Sequence, residues 1–274
     1  MQKTKIEYLD YTCNPIAMRC SPVSAGCANC WHIAMCDRMK NNPKIPMELR
    51  EIYAGDAPPK LIESRLEAPL KLKKPAIIGL QFMGDLWHED IPHTLIDDIF
   101  DVMTAAKQHA FIVLTKRPQN MLEWYNETII LGGGDYLPNL WLGVSVEDQK
   151  TADERIPILL QIPAAKHIVS YEPALGPVNF NLCHKCQIDP SQCEEHNHID
   201  WVIAGCESGP NRRPAKIEWF RDVKNQCVEA GIPYFLKQMT KKTEIKNAYS
   251  TGKYFDKIVK MPELDGKIYD ELPS

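Results

Sequence analysis

The sequence predicts an α/β protein, a partial or full (β/α) barrel. Three observations predict it. Short apolar runs alternate with amphipathic stretches along the chain. Nearly every apolar run closes on polar residues. Neither phosphate-loop fingerprint of nucleotide-binding α/β proteins is present, since Gly132-Gly-Gly134 lacks both their spacing and a following Lys-Ser/Thr.

Strands are expected at residues 6–11, 77–82, 110–114, 140–144, 167–170, 201–204 and 234–236, each a short apolar run bounded by turn-forming or charged residues. Helices are expected between them. Residues 92–107 carry Leu95, Ile96, Ile99, Phe100, Val102 and Met103 on one face. Residues 118–125 and 151–161 repeat the pattern, and 218–230 ends at Gly231 with Pro233 beyond it. About seven βα units suit a barrel, with an open doubly wound sheet as the competing arrangement. After each run come polar groups: Asp85, Lys116 and Arg117, Ser145 and Glu147, Glu172, Cys206 and Glu207, Lys237 and Gln238. A ring of this kind at the carboxyl ends of parallel strands forms the mouth of an active site.

The chain has 274 residues with a net charge of −4, 44% hydrophobic and 25% charged, the composition of a water-soluble globular protein. No apolar run approaches the length of a membrane span, and the first ten residues lack the apolar core of a signal peptide. The expected location is the cytoplasm, where thiols stay reduced. Charge is uneven: residues 237–260 hold seven lysines, either a solvated segment or a contact for phosphates.

There are ten cysteines, five of them between Cys13 and Cys36 and three between Cys183 and Cys193. In a reducing compartment such clusters point to metal rather than disulfides. The first reads Cys20-Ser-Pro-Val-Ser-Ala-Gly-Cys27-Ala-Asn-Cys30-Trp31, in a loop after the first strand. Three thiolates can hold three irons of a [4Fe–4S] cube and leave one iron open, the vacancy that chelates S-adenosylmethionine (SAM) in radical chemistry. A zinc ion that recruits Cys13 or Cys36 as fourth ligand is the competing reading. The second cluster, Cys183, Cys186 and Cys193 with His196 or His198, has the knuckle spacing of tetrahedral Zn²⁺, with an auxiliary iron–sulfur cluster as its rival. The polar segment between those ligands cannot form a core, so a metal would supply its order.

Wider motifs surround the first cluster: Met83-Gly-Asp-Leu-Trp-His-Glu89, Leu114-Thr-Lys-Arg-Pro118, Trp141-Leu-Gly-Val-Ser-Val-Glu147, Ser170-Tyr-Glu-Pro173 and Asp200-Trp-Val-Ile-Ala-Gly205. With Cys13-Asn-Pro15 and the three cysteines, they make the chain, over roughly residues 5–240, resemble a phage and bacterial three-cysteine family related to radical SAM enzymes. More distantly it is similar to spore photoproduct lyase. Six residues separate the first two cysteines here, where radical SAM enzymes usually have three. Trp31 and Cys206 replace the family's usual tyrosine and glycine.

The resemblance implies a radical SAM barrel over residues 1–240; the cysteine and histidine spacing adds an inserted metal-binding loop at 179–199, and composition a lysine-rich extension at 241–274. It implies cluster ligation by Cys20, Cys27 and Cys30, and SAM contacts from Trp31, Ser145 and Glu147. Asp85 and Glu172 become the catalytic candidates, holding the SAM amino group or a substrate hydroxyl, unless they form salt bridges to Lys116, Arg117 or Arg155. His88 and Glu89 fall near substrate. The implied partners are SAM, an electron donor and possible DNA carrying a modified base, an amino-acid-modified thymidine on which a radical isomerase would act. The alternative is a non-catalytic iron–sulfur or zinc protein that binds nucleic acid or a host partner. No membrane partner is expected.

Overall fold

A computed structural model describes residues 1–130, 137–182, 199–209, 211–244 and 254–273. The chain is a mixed α/β protein built on one nine-stranded sheet. In sheet order its strands are β1 (Gln2–Lys3), β2 (Tyr11–Cys13), β3 (Ile77–Leu80), β4 (Ala110–Thr115), β5 (Leu140–Val146), β6 (Lys166–Tyr171), β7 (Trp201–Gly205), β8 (Tyr234–Glu244) and β9 (Tyr254–Lys260). Strands β2 to β8 run parallel, with β1 and β9 antiparallel at the two edges. Spatial order equals chain order, so each parallel strand is added beside the last.

Every expected strand but the first lies where the apolar runs place it. Residues 6–10 instead form a turn closed by Leu9 N–H donating to the Ile6 carbonyl at 3.1 Å, and the strand begins at Tyr11. The reason is packing. Tyr8 meets the edges of Trp201 and Phe235, each at 5.4 Å, and aromatic burial of this kind outweighs local strand propensity.

The expected helices are present as α3 (His93–Ala105), α4 (Pro118–Trp124), α5 (Gln149–Leu159) and α6 (Ile217–Ala230). Two earlier ones, α1 (Trp31–Lys40) and α2 (Met47–Ala54), lacked a clear apolar period and were not expected. In α3, Ile96, Ile99, Phe100 and Met103 are buried, at the i, i+3, i+4, i+7 spacing of one helical face. Asp148 and Thr151 form a reciprocal capping box at the start of α5. Helix α6 stops at Gly231, whose φ of 61° suits glycine.

Alternation along the strands divides the core. Phe111, Val113, Val169, Tyr171, Val202, Ala204, Tyr234 and Leu236 join the larger core with the helices. Ile112, Ile168, Trp201, Ile203 and Phe235 face the other way and enclose Tyr8 and Leu9. Nine strands laid flat at about 4.8 Å would span roughly 38 Å. Yet Lys260 of β9 donates to the Lys5 carbonyl at 3.2 Å and to Glu7 Oε1 at 2.7 Å, between β1 and β2. The sheet therefore curves, its second face concave, and brings the segment between β1 and β2 within reach of the Lys260 side chain.

Gly143 on β5 marks how tightly the sheet packs. A Cβ there would lie 2.6 Å from Leu114 Cδ2 and 2.8 Å from the Ile168 carbonyl oxygen, which is backbone and cannot swing away. Gly143→Ala is expected to cost about 1–3 kcal/mol by overpacking. Urea unfolding followed by circular dichroism should show a lower midpoint at unchanged slope, and an unaltered midpoint would refute it.

β8 passes straight through residue 240, and β9 adds to it, so residues on both sides of that position share the sheet. The metal-ligand candidates Cys183, Cys186, Cys193 and His196 lie outside the described residues. Among the described residues, no helix is long and apolar enough to cross a membrane.

Candidate active site at the carboxyl ends of the strands

The concave face is apolar where the parallel strands begin and polar where they end. Beside Tyr8, Phe82 and Leu114, a cavity of about 530 Å³ opens at the carboxyl ends, lined by the cysteine loop, by residues of β4, β5, β6, β8 and β9, and by the segments that follow β3, β4, β6 and β7. Cys20, Cys27 and Cys30 all line it. Cys13 and Cys36 do not: they are fully buried, and their thiols donate to the Arg65 carbonyl at 3.2 Å and the Met18 carbonyl at 3.6 Å.

Three clamps seat the cysteine loop on the strand ends. The first is Arg117, after β4. Its Nη1 lies 3.6 Å from Cys20 Sγ, and Nη2 donates to Ser21 O at 3.1 Å and Ser21 Oγ at 2.7 Å. Glu89 at 2.8 Å and Asp85 at 3.5 Å hold the guanidinium in place. His88, buried beneath, accepts from Ser21 N–H at 3.1 Å. Burial, then the Arg117 charge, holds its pKa below the ordinary histidine range, so the ring stays neutral.

The second clamp is Glu147, 0% exposed at the end of β5. It accepts from Ser24 Oγ at 2.8 Å and pairs with Arg155 Nη1 at 3.2 Å. Gly26 passes so close that an added Cβ would sit 2.3 Å from Glu147 Oε1, so the loop needs glycine there. Lys116, 3.7 Å away, completes the cluster. The third clamp is Glu207, after β7. Arg213 N–H donates to it at 2.7 Å and Asn29 Nδ2 at 3.0 Å, while Arg213 Nη2 also donates to the Ala25 carbonyl at 2.8 Å. Burial alone would raise the Glu207 pKa, but the Arg213 and Asn29 hydrogen bonds outweigh it and hold the carboxyl below its usual range.

Cys20 is the thiol these clamps affect most. Burial pushes it up to about 12, against the opposing pull of Arg117. A free thiolate is therefore disfavoured there. Among the described residues, no three Cys, His, Asp or Glu side chains converge tightly enough for a single metal ion. A cube makes a different demand, because each of its thiolates binds its own iron. Three cysteines facing one roomy cavity fit that demand, and the donor set is the soft sulfur set that iron–sulfur clusters take.

The other sequence candidates occupy the same region. Trp31 lines the cavity and is 45% exposed. Ser145 lines it as well, its carbonyl held by Arg155 Nη1 at 2.5 Å. Asp85 is buried and accepts from Thr115 Oγ1 at 2.6 Å and Lys116 N–H at 2.9 Å. Glu172 lies across the cavity and pairs with Lys237, whose Nζ is 2.8 Å from each carboxylate oxygen. Burial alone would lower the Lys237 pKa; the Glu172 charge outweighs it and keeps the ammonium protonated.

The structure adds residues that spacing could not reveal: Asn29 and Arg213 as loop anchors, Tyr8 on the floor, and the Lys237–Glu172 pair, 65 positions apart. Tyr8, with its phenol pushed up to about 12 by burial, stays neutral at ordinary pH. Cys206, also on the wall, is a buried thiol raised by burial to about 11. In the sequence, polar closure of the strands marked Glu172, Lys237 and Cys206 and the cysteine motif contained Asn29, while nothing local marked Tyr8 or Arg213.

The family model described as "Protein of unknown function (DUF5131)" matches residues 3–273, and the chain belongs to that family. No curated protein and no solved structure matches the chain.

Proposed function

We propose that this protein is a radical SAM enzyme, an isomerase or lyase, carried on a partial (β/α) barrel. One observation carries the reading: Cys20, Cys27 and Cys30 of a single loop face one cavity at the carboxyl ends of parallel strands, while the nearby Cys13 and Cys36 turn away onto backbone carbonyls. Three thiolates from one loop are the set an open-iron cube takes, whereas tetrahedral zinc takes four ligands; Cys206 also lines the cavity but belongs to the segment after β7.

When bound, such a cluster supplies the electron that splits the SAM sulfonium, giving a 5′-deoxyadenosyl radical that takes a hydrogen atom from substrate. The chain's residues do the rest. Arg117 offsets thiolate charge at Cys20 and fixes the start of the loop. Glu147 and Glu207 fix its middle and end. Trp31 and Ser145, which line the same cavity, would contact a bound SAM molecule. Asp85 already accepts bonds from Thr115 and Lys116 N–H, and its contribution is to hold the turn that aims Lys116 and Arg117. Glu172 and Lys237 present a polar wall to the substrate. Tyr8, buried against Trp201 and Phe235, adds an aromatic ring to the cavity lining. The substrate proposed from the family resemblance is an amino-acid-modified thymidine in DNA, and an external electron donor completes the reaction. Cys183, Cys186, Cys193 and His196 are proposed as a separate zinc site.

Protein purified without oxygen tests this. About four irons per chain are expected at the first site, with about one zinc at the second. Adding SAM and a reductant should release 5′-deoxyadenosine. Protein that takes up iron yet never cleaves SAM, or that binds zinc alone, overturns the reading.

A further inference from the structure

On the concave face the change from apolar to polar falls between two neighbouring rungs of the sheet. One rung runs Gly143, Ile168, Trp201; two residues on, the next runs Ser145, Ser170, Ile203, Phe235. Beyond Ser170 and Phe235 come Glu172 and Lys237, which pair across β7. They meet there because residue 205 is glycine: a Cβ at that position would lie 3.1 Å from Glu172 Oε1. Tyr8 belongs to the same wall. After burial itself, the charges that act most on its phenol are those of Lys237 and Glu172, which sets it beside the pair.

This inner wall holds hydroxyls that the fold does not use. Tyr8 is 4% exposed and Ser170 3%, and both line the cavity. Among the described residues neither hydroxyl makes a hydrogen bond. Buried hydroxyls normally have a partner, so two of them on one cavity mark a place for a ligand's polar atoms.

The ion pair selects the kind of ligand. Lys237 Nζ lies 2.8 Å from each Glu172 oxygen, and Gln238 Nε2 donates to Oε1 at 3.2 Å. The side chains of Lys237 and Glu172 are each 18% exposed. A carboxylate ligand would draw Lys237 away and leave Glu172 unpaired, and an ammonium ligand would do the reverse. Stripping one partner from a buried pair is strongly unfavourable. An uncharged group needs only the capacity the pair leaves over, which is the third N–H of the ammonium and a lone pair on Oε2. An amide or lactam matches both, with a carbonyl oxygen of two lone pairs and an N–H beside it. Phe82 and Leu114, also in the lining, offer apolar surface to a flat ring.

We propose that Tyr8, Ser170 and the Lys237–Glu172 pair form a subsite for an uncharged amide or lactam, Tyr8 and Lys237 donating to its carbonyl oxygen and Glu172 accepting from its N–H. The Ser170 hydroxyl rotates to serve either atom. That this group belongs to the substrate of a SAM radical rests on the proposed function; the binding itself does not.

The test titrates the full chain with benzamide, followed by saturation-transfer NMR, beside benzoate, benzylammonium, benzyl alcohol and N,N-dimethylbenzamide. Benzamide should bind at least about fivefold tighter than each of the others, as expected for one hydrogen bond or more. Tyr8→Phe and Ser170→Ala should each weaken benzamide about fivefold. Neither should lower the unfolding temperature, since neither hydroxyl has a partner in the fold to lose. Equal binding of benzamide and N,N-dimethylbenzamide overturns the proposal, as does tighter binding of either ion or of the alcohol, or no benzamide binding at all. Unchanged benzamide affinity in Tyr8→Phe also overturns it, and a lowered unfolding temperature there assigns the phenol a structural role instead. Because this readout needs no cluster, benzamide binding without SAM cleavage removes only the enzyme proposal, and cleavage without binding removes only this one.

Discussion

Cys27→Ala should reduce iron at the first site from about four atoms per chain to near zero, with 5′-deoxyadenosine release falling to background. The effect is large because a cube held by three thiolates cannot lose one without opening a second iron to solvent. It should also be clean. Cys27 is only partly buried at the loop, and its Sγ has one weak partner, Ser24 Oγ at 3.9 Å. Truncation leaves no buried polar group unsatisfied, so the folded state should lose less than about 1 kcal/mol. Cys36→Ala is the informative contrast. Cys36 is fully buried and bonded to the Met18 carbonyl, so its loss should lower the unfolding temperature yet leave iron content intact. If instead Cys36→Ala removes metal as completely as Cys27→Ala, the four-thiolate zinc reading is right and the open-iron reading is wrong. Elemental analysis and thermal unfolding of the two variants, prepared without oxygen, decide it.

The framework was legible in the sequence because its signals are local. Apolar runs such as 110–114 and 201–204 are strands buried on both faces, and their continuous hydrophobicity marks them. Helix α3 announces itself by period and α6 by its terminal glycine. The cysteine spacing marked the loop, and polar closure marked the mouth. What stayed hidden depends on distance along the chain. Glu207 and Asn29 are 178 positions apart, and nothing local to either predicts their contact. Residues 6–10 read as strand because their composition is apolar; only the aromatic pocket of Trp201 and Phe235 makes them a plug. Helix α1 escaped notice because its buried residues, His32 and Cys36, are not conventional apolar markers. Glu147 is the sharpest case. The family resemblance implies a SAM contact for it, while its surroundings in the fold are those of an anchor.

Glu147→Ala therefore separates two roles. The substitution strips the counter-charge from Arg155, whose side chain is 8% exposed. An unpaired buried guanidinium costs about 3–5 kcal/mol, which lowers the unfolding temperature by on the order of 10 °C in a chain of this size. Ser24 also loses its acceptor, so the middle of the cysteine loop comes free and iron loading should fall several-fold. Replacing both partners, Glu147→Leu with Arg155→Met, removes the buried charges together and should recover most of the stability. Iron loading should stay low in that double variant, because Ser24 still has no anchor. A residue that only contacted SAM would behave otherwise: Glu147→Ala would keep its stability and its iron and show only a raised KM for SAM. Unfolding temperature, iron per chain and SAM KM, measured on the same three proteins, give opposite patterns for the two roles, and the complete burial of the carboxylate against Arg155 favours the anchor.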